Sequence, residues 1–309
     1  MTAITLIGAP VDQGQRCPGC LMGPAAYRVA GIAQALTGLG HSVHDIGDLS
    51  LPDPLPAVRP STNPAVHGLD AVSAWARAIA QAVGDVLQAG RMPVIMGGDH
   101  ALSLGSVAAA AAHAQARGRP LFVLWLDAHS DLHTPLSTTS GNLHGTPLGH
   151  ALGLGGFDGF APFPAPVPGR RICLFGVRSI DPAEAQVLAA QDIAVNDMRV
   201  LDEQGISAPL RRFLDQVAAE GGDLHVSLDV DFLDPGIAPA VGTTVPGGTS
   251  FREAHLVMEM VHDAGCMTSI DLVELNPALD MRNATARLMV DLLASGLGRK
   301  VFDRPTRPV

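Results

Sequence analysis

The chain is short of cysteine, of net positive charge and of long apolar runs, and each shortage excludes something. Four cysteines among 309 residues cannot staple a fold of this size, so a disulfide framework is excluded and a reducing cytoplasm is the expected setting. Lys and Arg number 20 against 30 Asp and Glu, a net charge of −10. A nucleic-acid partner needs a basic face, so none is expected, and the acidic balance favours cationic small molecules instead. No apolar run approaches the roughly 18 residues that would span a bilayer, so no membrane partner is expected. Met1–Pro10 lacks the basic start and cleavage site of a signal peptide. The 34 glycines and 24 prolines fall below a low-complexity share, and no repeat recurs at a fixed period. What remains is long enough for a sizeable core. With no linker visible, residues 1–309 are expected to form one domain.

Short apolar runs alternate with helical patterns throughout. Strands are expected at Ile4–Ile7, Val43–Ile46, Pro93–Met96, Leu121–Leu126, Arg171–Phe175, around Ile193 and Val195, at Leu224–Leu228 and at Met267–Val273. Helices are expected at Pro24–Leu39, Leu69–Gln88, Ala101–Arg117, Pro182–Ala190, Ala208–Ala219, Phe251–Ala264 and Ala284–Leu297. Pro24 in a first turn and Gly40 just past an end are the expected helix punctuation. The alternation predicts a mostly parallel sheet with helices on both faces. Cys17-Pro18-Gly19-Cys20 has the spacing of a redox pair, but no helix opens at its first cysteine, and a loop thiol pair is the plainer reading.

The chemistry gathers after the strands. Leu121–Leu126 runs into Asp127, His129 and Asp131, whose spacing by two puts them on one side of an extended segment. A solvated, Asp-rich turn is one reading. A divalent ion is the other, because acids at the end of a buried strand are costly unless neutralised. Oxygen ligands with an imidazole suit Mn²⁺ or Fe²⁺. His100 follows the Pro93–Met96 strand, Asp229 and Asp231 follow Leu224–Leu228, and Glu274 follows Met267–Val273. Parallel strands would bring all these ends to one sheet edge, where open α/β sheets bind ligands. Four Asp and two His around one site balance two divalent ions. Such a pair would share bridging carboxylates and a water whose pKa falls toward neutrality. The reaction class so implied is metal-assisted hydrolysis.

Gly97-Gly98-Asp99-His100, Asp127-Ala128-His129-Ser130-Asp131, Ser227-Leu228-Asp229-Val230-Asp231 and Leu233-Asp234-Pro235 together resemble the metal motifs of the ureohydrolases, the family of arginases and agmatinases. The resemblance runs from about Gly8 to Leu297. It implies a three-layer α/β/α domain with an eight-stranded, mostly parallel sheet and two Mn²⁺ per subunit. His100, Asp127, Asp131 and Asp229 would hold one ion, and Asp127, His129, Asp229 and Asp231 the other. Asp127 and Asp229 would bridge.

Thr134–Gly145 is similar to the arginase version of the segment that sets the substrate. By that resemblance Ser140 and Asn142 would bind an α-carboxylate, although loop hydrogen bonds are an ordinary use for both. His133 would join them, standing where arginases commonly have Asn. Asp181 and Glu184 would take the α-ammonium, and Asp181-Pro182 also reads as a helix cap with Pro at the first position. Glu274 would pair with the guanidinium, with Thr243 beside it. His144 would move protons, as an imidazole titrating near neutrality can, and Asp131 and Glu274 complete the catalytic set. The implied function is hydrolysis of L-arginine to L-ornithine and urea by a metal-bridging hydroxide, in a homo-oligomer that is a trimer or a hexamer. N-hydroxy-L-arginine is the alternative substrate, ahead of agmatine or guanidinobutyrate, which lack the complete amino-acid head. A single-zinc deacylase and a non-catalytic relative are further alternatives. They are disfavoured because Asp229 and Asp231 both accompany an intact Asp127-to-Asp131 run.

Overall fold

The computed structural model describes residues 1–300, and residues 301–309 of the expected domain lie outside them. In chain order the elements are β1 (Ala3–Ala9), α1 (Gly23–Val29), α2 (Ile32–Thr37), β2 (Ser42–Asp48), α3 (Leu69–Gln88), β3 (Met92–Gly97), α4 (Ser103–Ala116) and β4 (Leu121–Leu126). There follow α5 (Pro147–Ala151), β5 (Ile172–Phe175), α6 (Pro182–Ala190), β6 (Ala194–Asn196), α7 (Met198–Gln204), α8 (Ser207–Ala219) and β7 (Asp223–Asp229). The last are α9 (Phe251–Ala264), β8 (Met267–Val273) and α10 (Ala284–Gly296). The eight strands form one sheet in the order β2-β1-β3-β8-β7-β4-β5-β6, and every pairing is parallel rather than merely most of them.

Successive strand residues point to opposite faces, and here both faces are covered. On β4, Phe122, Leu124 and Leu126 enter one core with Leu210, Val257 and Met289 of α8, α9 and α10. Leu121, Val123 and Trp125 enter another with Val107 and Ala111 of α4. On the same side as α4, Ile7 and Ile95 pack against Ile79 and Val83 of α3. A strand buried on both faces needs no polar alternation, so β4 reads as a continuous apolar run. The result is three layers, α/β/α, with β3, β8, β7 and β4 in the middle. Among the described residues no helix is long and apolar enough to cross a membrane.

Three local expectations differ. Pro24–Leu39 is not one helix: α1 and α2 are separated at Gly31, whose φ of 85° interrupts the right-handed ladder at the residue best able to leave it. The helix expected from Ala101 is preceded by a tight turn at His100–Leu102, and α4 begins at Ser103. Two short helices, α5 and α7, lie where none was expected.

α5 anchors the long loop before β5. Its His150 packs against Phe157, Phe160 and Phe163, at ring separations of 4.7, 5.8 and 5.2 Å. Burial pulls this imidazole down from 6.5 to about 4, with a contact to the Ala161 backbone acting weakly the other way. The folded protein therefore keeps it neutral until pH nears 4, while the unfolded chain takes the proton near 6.5. Between those values the unfolded state binds more protons, so stability falls as pH falls through the window. His150→Phe should remove that component, roughly 3 kcal/mol across the window. Urea unfolding of both proteins between pH 4 and 7 checks it, and parallel stability curves would contradict it.

Candidate active site

The carboxyl ends of β3, β4, β7 and β8 meet at one place, as parallel pairing requires. Gly98 lets β3 turn there: a Cβ at this position would lie 2.2 Å from the Val11 carbonyl oxygen and 2.3 Å from its nitrogen. The turn presents His100. Its ring stacks on Trp125 at 4.3 Å, and its Nε2 meets the Ser227 hydroxyl at 2.8 Å. Those contacts leave Nδ1 facing inward. It lies 3.1 Å from Asp127 Oδ2, 3.1 Å from Asp131 Oδ2 and 2.9 Å from Asp229 Oδ2. Beside it, His129 Nδ1 lies 3.0 Å from Asp231 Oδ2 and 3.5 Å from Asp127 Oδ1.

The carboxylates are aimed by the backbone. Asp127 Oδ1 accepts from the His129 N–H at 2.6 Å, Asp229 Oδ1 from the Asp231 N–H at 2.8 Å, and Asp231 Oδ1 from the Ala128 N–H at 3.0 Å. Each is thereby left one oxygen for the centre. Asp131 sits at φ 49° and Glu274 at φ 64°, a left-handed conformation that costs a non-glycine residue free energy and is tolerated where the surroundings fix it.

These groups fit divalent ions. One imidazole proton cannot satisfy three carboxylate oxygens, and Asp127 Oδ2 is buried without a hydrogen-bond partner. His100, Asp127 and Asp131 converge closely enough for one ion, and Asp127, His129 and Asp231 for another, so Asp127 belongs to both. Asp229 joins the first group through Oδ2. Electrostatics agree. Burial and the surrounding carboxylates push Asp131 and Asp229 well above the usual carboxylate range, and Asp231 above it too. Burial disfavours charge on His129, but Asp127 and Asp231 outweigh it and carry the ring to about 12. The acids resist ionising together unless cations arrive.

The metal-binding, catalytic and substrate-binding candidates from the sequence all line one cavity of about 280 Å³: the six groups above with His133, Ser140, Asn142, His144, Asp181, Glu184, Thr243 and Glu274. Thr138, Thr139 and Ser179 line it as well. Glu274 Oε1 accepts from the His100 N–H and faces His144 Nδ1, both at 2.8 Å. Burial pulls His144 down, but the Glu274 charge and hydrogen bond, with Asp99 and Asp131, raise it to about 9. Thr243 reaches Asp231 Oδ2 at 3.4 Å. Glu184 ties the Asp181 and Leu132 N–H groups together at 2.9 and 3.2 Å, in the capping arrangement that opens α6.

Sequence reasoning missed three supports. Gln15 donates to Glu274 Oε2 at 3.0 Å. Asp99 accepts from the Gly14 N–H at 2.7 Å, and the Gly14 carbonyl in turn accepts from the Leu143 and His144 N–H groups. His67 Nε2 meets Asn142 Oδ1 at 2.8 Å, and the Asn142 amide nitrogen turns toward the cavity, 3.5 Å from His144 Nε2. Only Asp99 had a local signal, its place beside His100. The other two act from loops far away in the chain.

Comparison with known proteins gives a consistent picture. The sequence pattern of the arginase family matches residues 2–298. An arginase from Agrobacterium fabrum is 54% identical, with 97% of this chain and 92% of that protein covered. One from Bacillus subtilis is 38% identical, covering 97% and 99%. The crystal structure of arginase from Bacillus caldovelox superposes with a TM-score of 0.88 at 37% identity, covering 97% of this chain and all of that one.

Metal-free protein titrated with Mn²⁺ in a calorimeter should take up two ions per chain. At a free concentration a hundredfold above the dissociation constant, binding should stabilise the fold by about 2.7 kcal/mol. Asp127→Asn, which alters a side chain common to both groups, should lose most of that gain. An unchanged gain would contradict the shared role.

Proposed function

Since the chain belongs to the arginase family, we propose that it hydrolyses L-arginine to L-ornithine and urea with a pair of Mn²⁺ ions. His100, Asp127, Asp131 and Asp229 would hold one ion and Asp127, His129, Asp229 and Asp231 the other. The observation that carries the reading is the pairing, in one cavity, of a carboxylate-imidazole floor with a mouth of hydroxyl, amide and acid groups. Such a cavity has a place for each end of a guanidino amino acid.

When bound, the two ions would neutralise the carboxylates and acidify a water to hydroxide near neutral pH. The remaining work falls to side chains. Glu274 offers its carboxylate to the guanidinium, a planar fork that a carboxylate matches. Held there, the guanidinium carbon keeps a fixed position over the floor, which is the entropic part of catalysis. The Glu274 carboxylate favours the protonated form of His144. With Nδ1 committed to Glu274, Nε2 is the atom that can pass the proton to the departing amine. Thr243 flanks the guanidinium. At the mouth, Ser140 and Asn142 donate to the α-carboxylate, and Asp181 and Glu184 face the α-ammonium. The acidic composition and few cysteines support a cytoplasmic setting. We further propose a single domain over residues 1–309, working in a homo-oligomer.

Metal-loaded protein offered L-arginine, N-hydroxy-L-arginine, agmatine and 4-guanidinobutanoate should release urea and ornithine from L-arginine with the highest kcat/KM. Preference for any of the others would overturn the reading. Asn142→Ala should raise KM for L-arginine about tenfold, the worth of a hydrogen bond to a charged group, and leave competition by agmatine unchanged. Equal weakening of both would remove Asn142 from the carboxylate side.

A further inference from the structure

We propose that His133 is a positioning residue: it holds the Asp181 carboxylate in place for the substrate's α-ammonium and does not itself bind the α-carboxylate. The inference rests on the cavity being a site for a guanidino amino acid, and it redraws the division of labour at the mouth.

The argument begins with a proton. The Ser137 oxygen accepts from the Thr134 N–H at 2.9 Å, and its hydroxyl lies 3.1 Å from His133 Nδ1. The Asp181 carboxylate facing Nε2 can only accept, so in the neutral ring Nε2 carries the hydrogen and Nδ1 accepts from the Ser137 hydroxyl. The ring N–H is then on Nε2, because the bond made by one imidazole nitrogen fixes the tautomer at the other. Nε2 lies 3.0 Å from Asp181 Oδ2, so the chain runs Ser137 to His133 to Asp181. Its middle is anchored: the His133 N–H donates to the Gly145 carbonyl at 3.1 Å.

Two consequences follow. Asp181 is the loosest acid at the site, with 59% of its side chain exposed against 11% for His133. Held by the α6 cap alone, so exposed a carboxylate still has rotamer freedom to lose when the ammonium arrives, which costs affinity. A buried donor already bound to Oδ2, beside the cap that Asp181 makes on the first turn of α6, removes much of that cost before the ligand arrives. Second, His133 has no donor left for a carboxylate, since Nδ1 accepts and Nε2 is spent. That task stays with Ser140 and with Asn142, whose Oδ1 is held by His67 so that its amide nitrogen faces the cavity. Glu184 is the more fixed of the two acids, since its oxygens accept from the Leu132 and Asp181 N–H groups.

The test uses the full-length, metal-loaded enzyme and three ligands. L-Arginine has both head groups, agmatine keeps the amine without the carboxylate, and 5-guanidinopentanoate keeps the carboxylate without the amine. KM is measured for L-arginine, and inhibition constants for the other two in competition with it. His133→Ala should raise the arginine KM and the agmatine constant about tenfold and move the 5-guanidinopentanoate constant less than about twofold. Ser137→Ala, a milder change in the same chain, should give the same pattern at smaller size. His133→Gln, whose amide can replace the Nε2 donor, should restore most of the loss. A scaffold role alone would shift all three constants together. Weakening of 5-guanidinopentanoate as large as that of agmatine would overturn the proposal, as would no change in any constant. It would also fall if elemental analysis found a third metal equivalent that disappears in His133→Ala, since His133, Asp181 and Glu184 lie close enough together to hold an ion. Failure of the underlying reading is separate and shows first: wild-type enzyme would release no ornithine from L-arginine.

Discussion

Four carboxylates buried within a few ångströms of one another are the constraint to which the rest of this structure answers. Burial alone raises the cost of each charge, and each neighbour adds repulsion. Two imidazoles relieve part of it, yet His100 Nδ1 faces three acid oxygens with one proton to share. A chain would shed such a cluster unless a ligand of high positive charge compensated it. Replacing the acids with apolar residues would be the easier route to stability. Their retention in a well-packed centre is therefore a statement about function.

The fold meets this constraint by topology. In a parallel sheet all carboxyl ends lie on one edge, so four strands central in the order deliver their acids and imidazoles to one point. Rigidity comes from the apolar strands behind that point. Fine aim comes from backbone N–H groups that take one oxygen of Asp127, Asp229 and Asp231. The left-handed backbone at Asp131 and Glu274 is the local cost of turning those two side chains inward, and the packed layers can sustain it.

Much of this was legible in the sequence because its signals are local. A buried strand writes itself as an apolar run, and a ligand at its end writes itself as the next charged residue, so Leu121–Leu126 with Asp127, or Met267–Val273 with Glu274, carries both at once. Parallel order, inferred from alternation with helices, was enough to bring those ends together. The break between α1 and α2 was not legible, because Gly31 is tolerated inside a helical pattern and only its φ of 85° ends the helix. α5 and α7 are too short to show a period, although Thr146-Pro147 and Asp197 stand where helix starts are marked. Gln15 and His67 were invisible for another reason: their partners Glu274 and Asn142 are brought to them by the tertiary fold.

The polarity of the cavity also explains how its two ends can differ in task while sharing a sign. Acids dominate both the floor and one wall of the mouth, so a dication such as arginine's paired guanidinium and ammonium is drawn in by either end. Charge alone would then allow it to enter reversed. What breaks the symmetry is hydrogen-bond type. The wall that carries Ser140 and Asn142 offers neutral donors, which suit a carboxylate, and the floor offers acceptors and ligand atoms, which do not. Orientation is thus set by where the donors are, and the tautomers imposed by Asp181 on His133 and by Asn142 on His67 decide which atoms those are. Proton positions at this mouth matter as much as residue identities, because they decide which atoms donate and which accept.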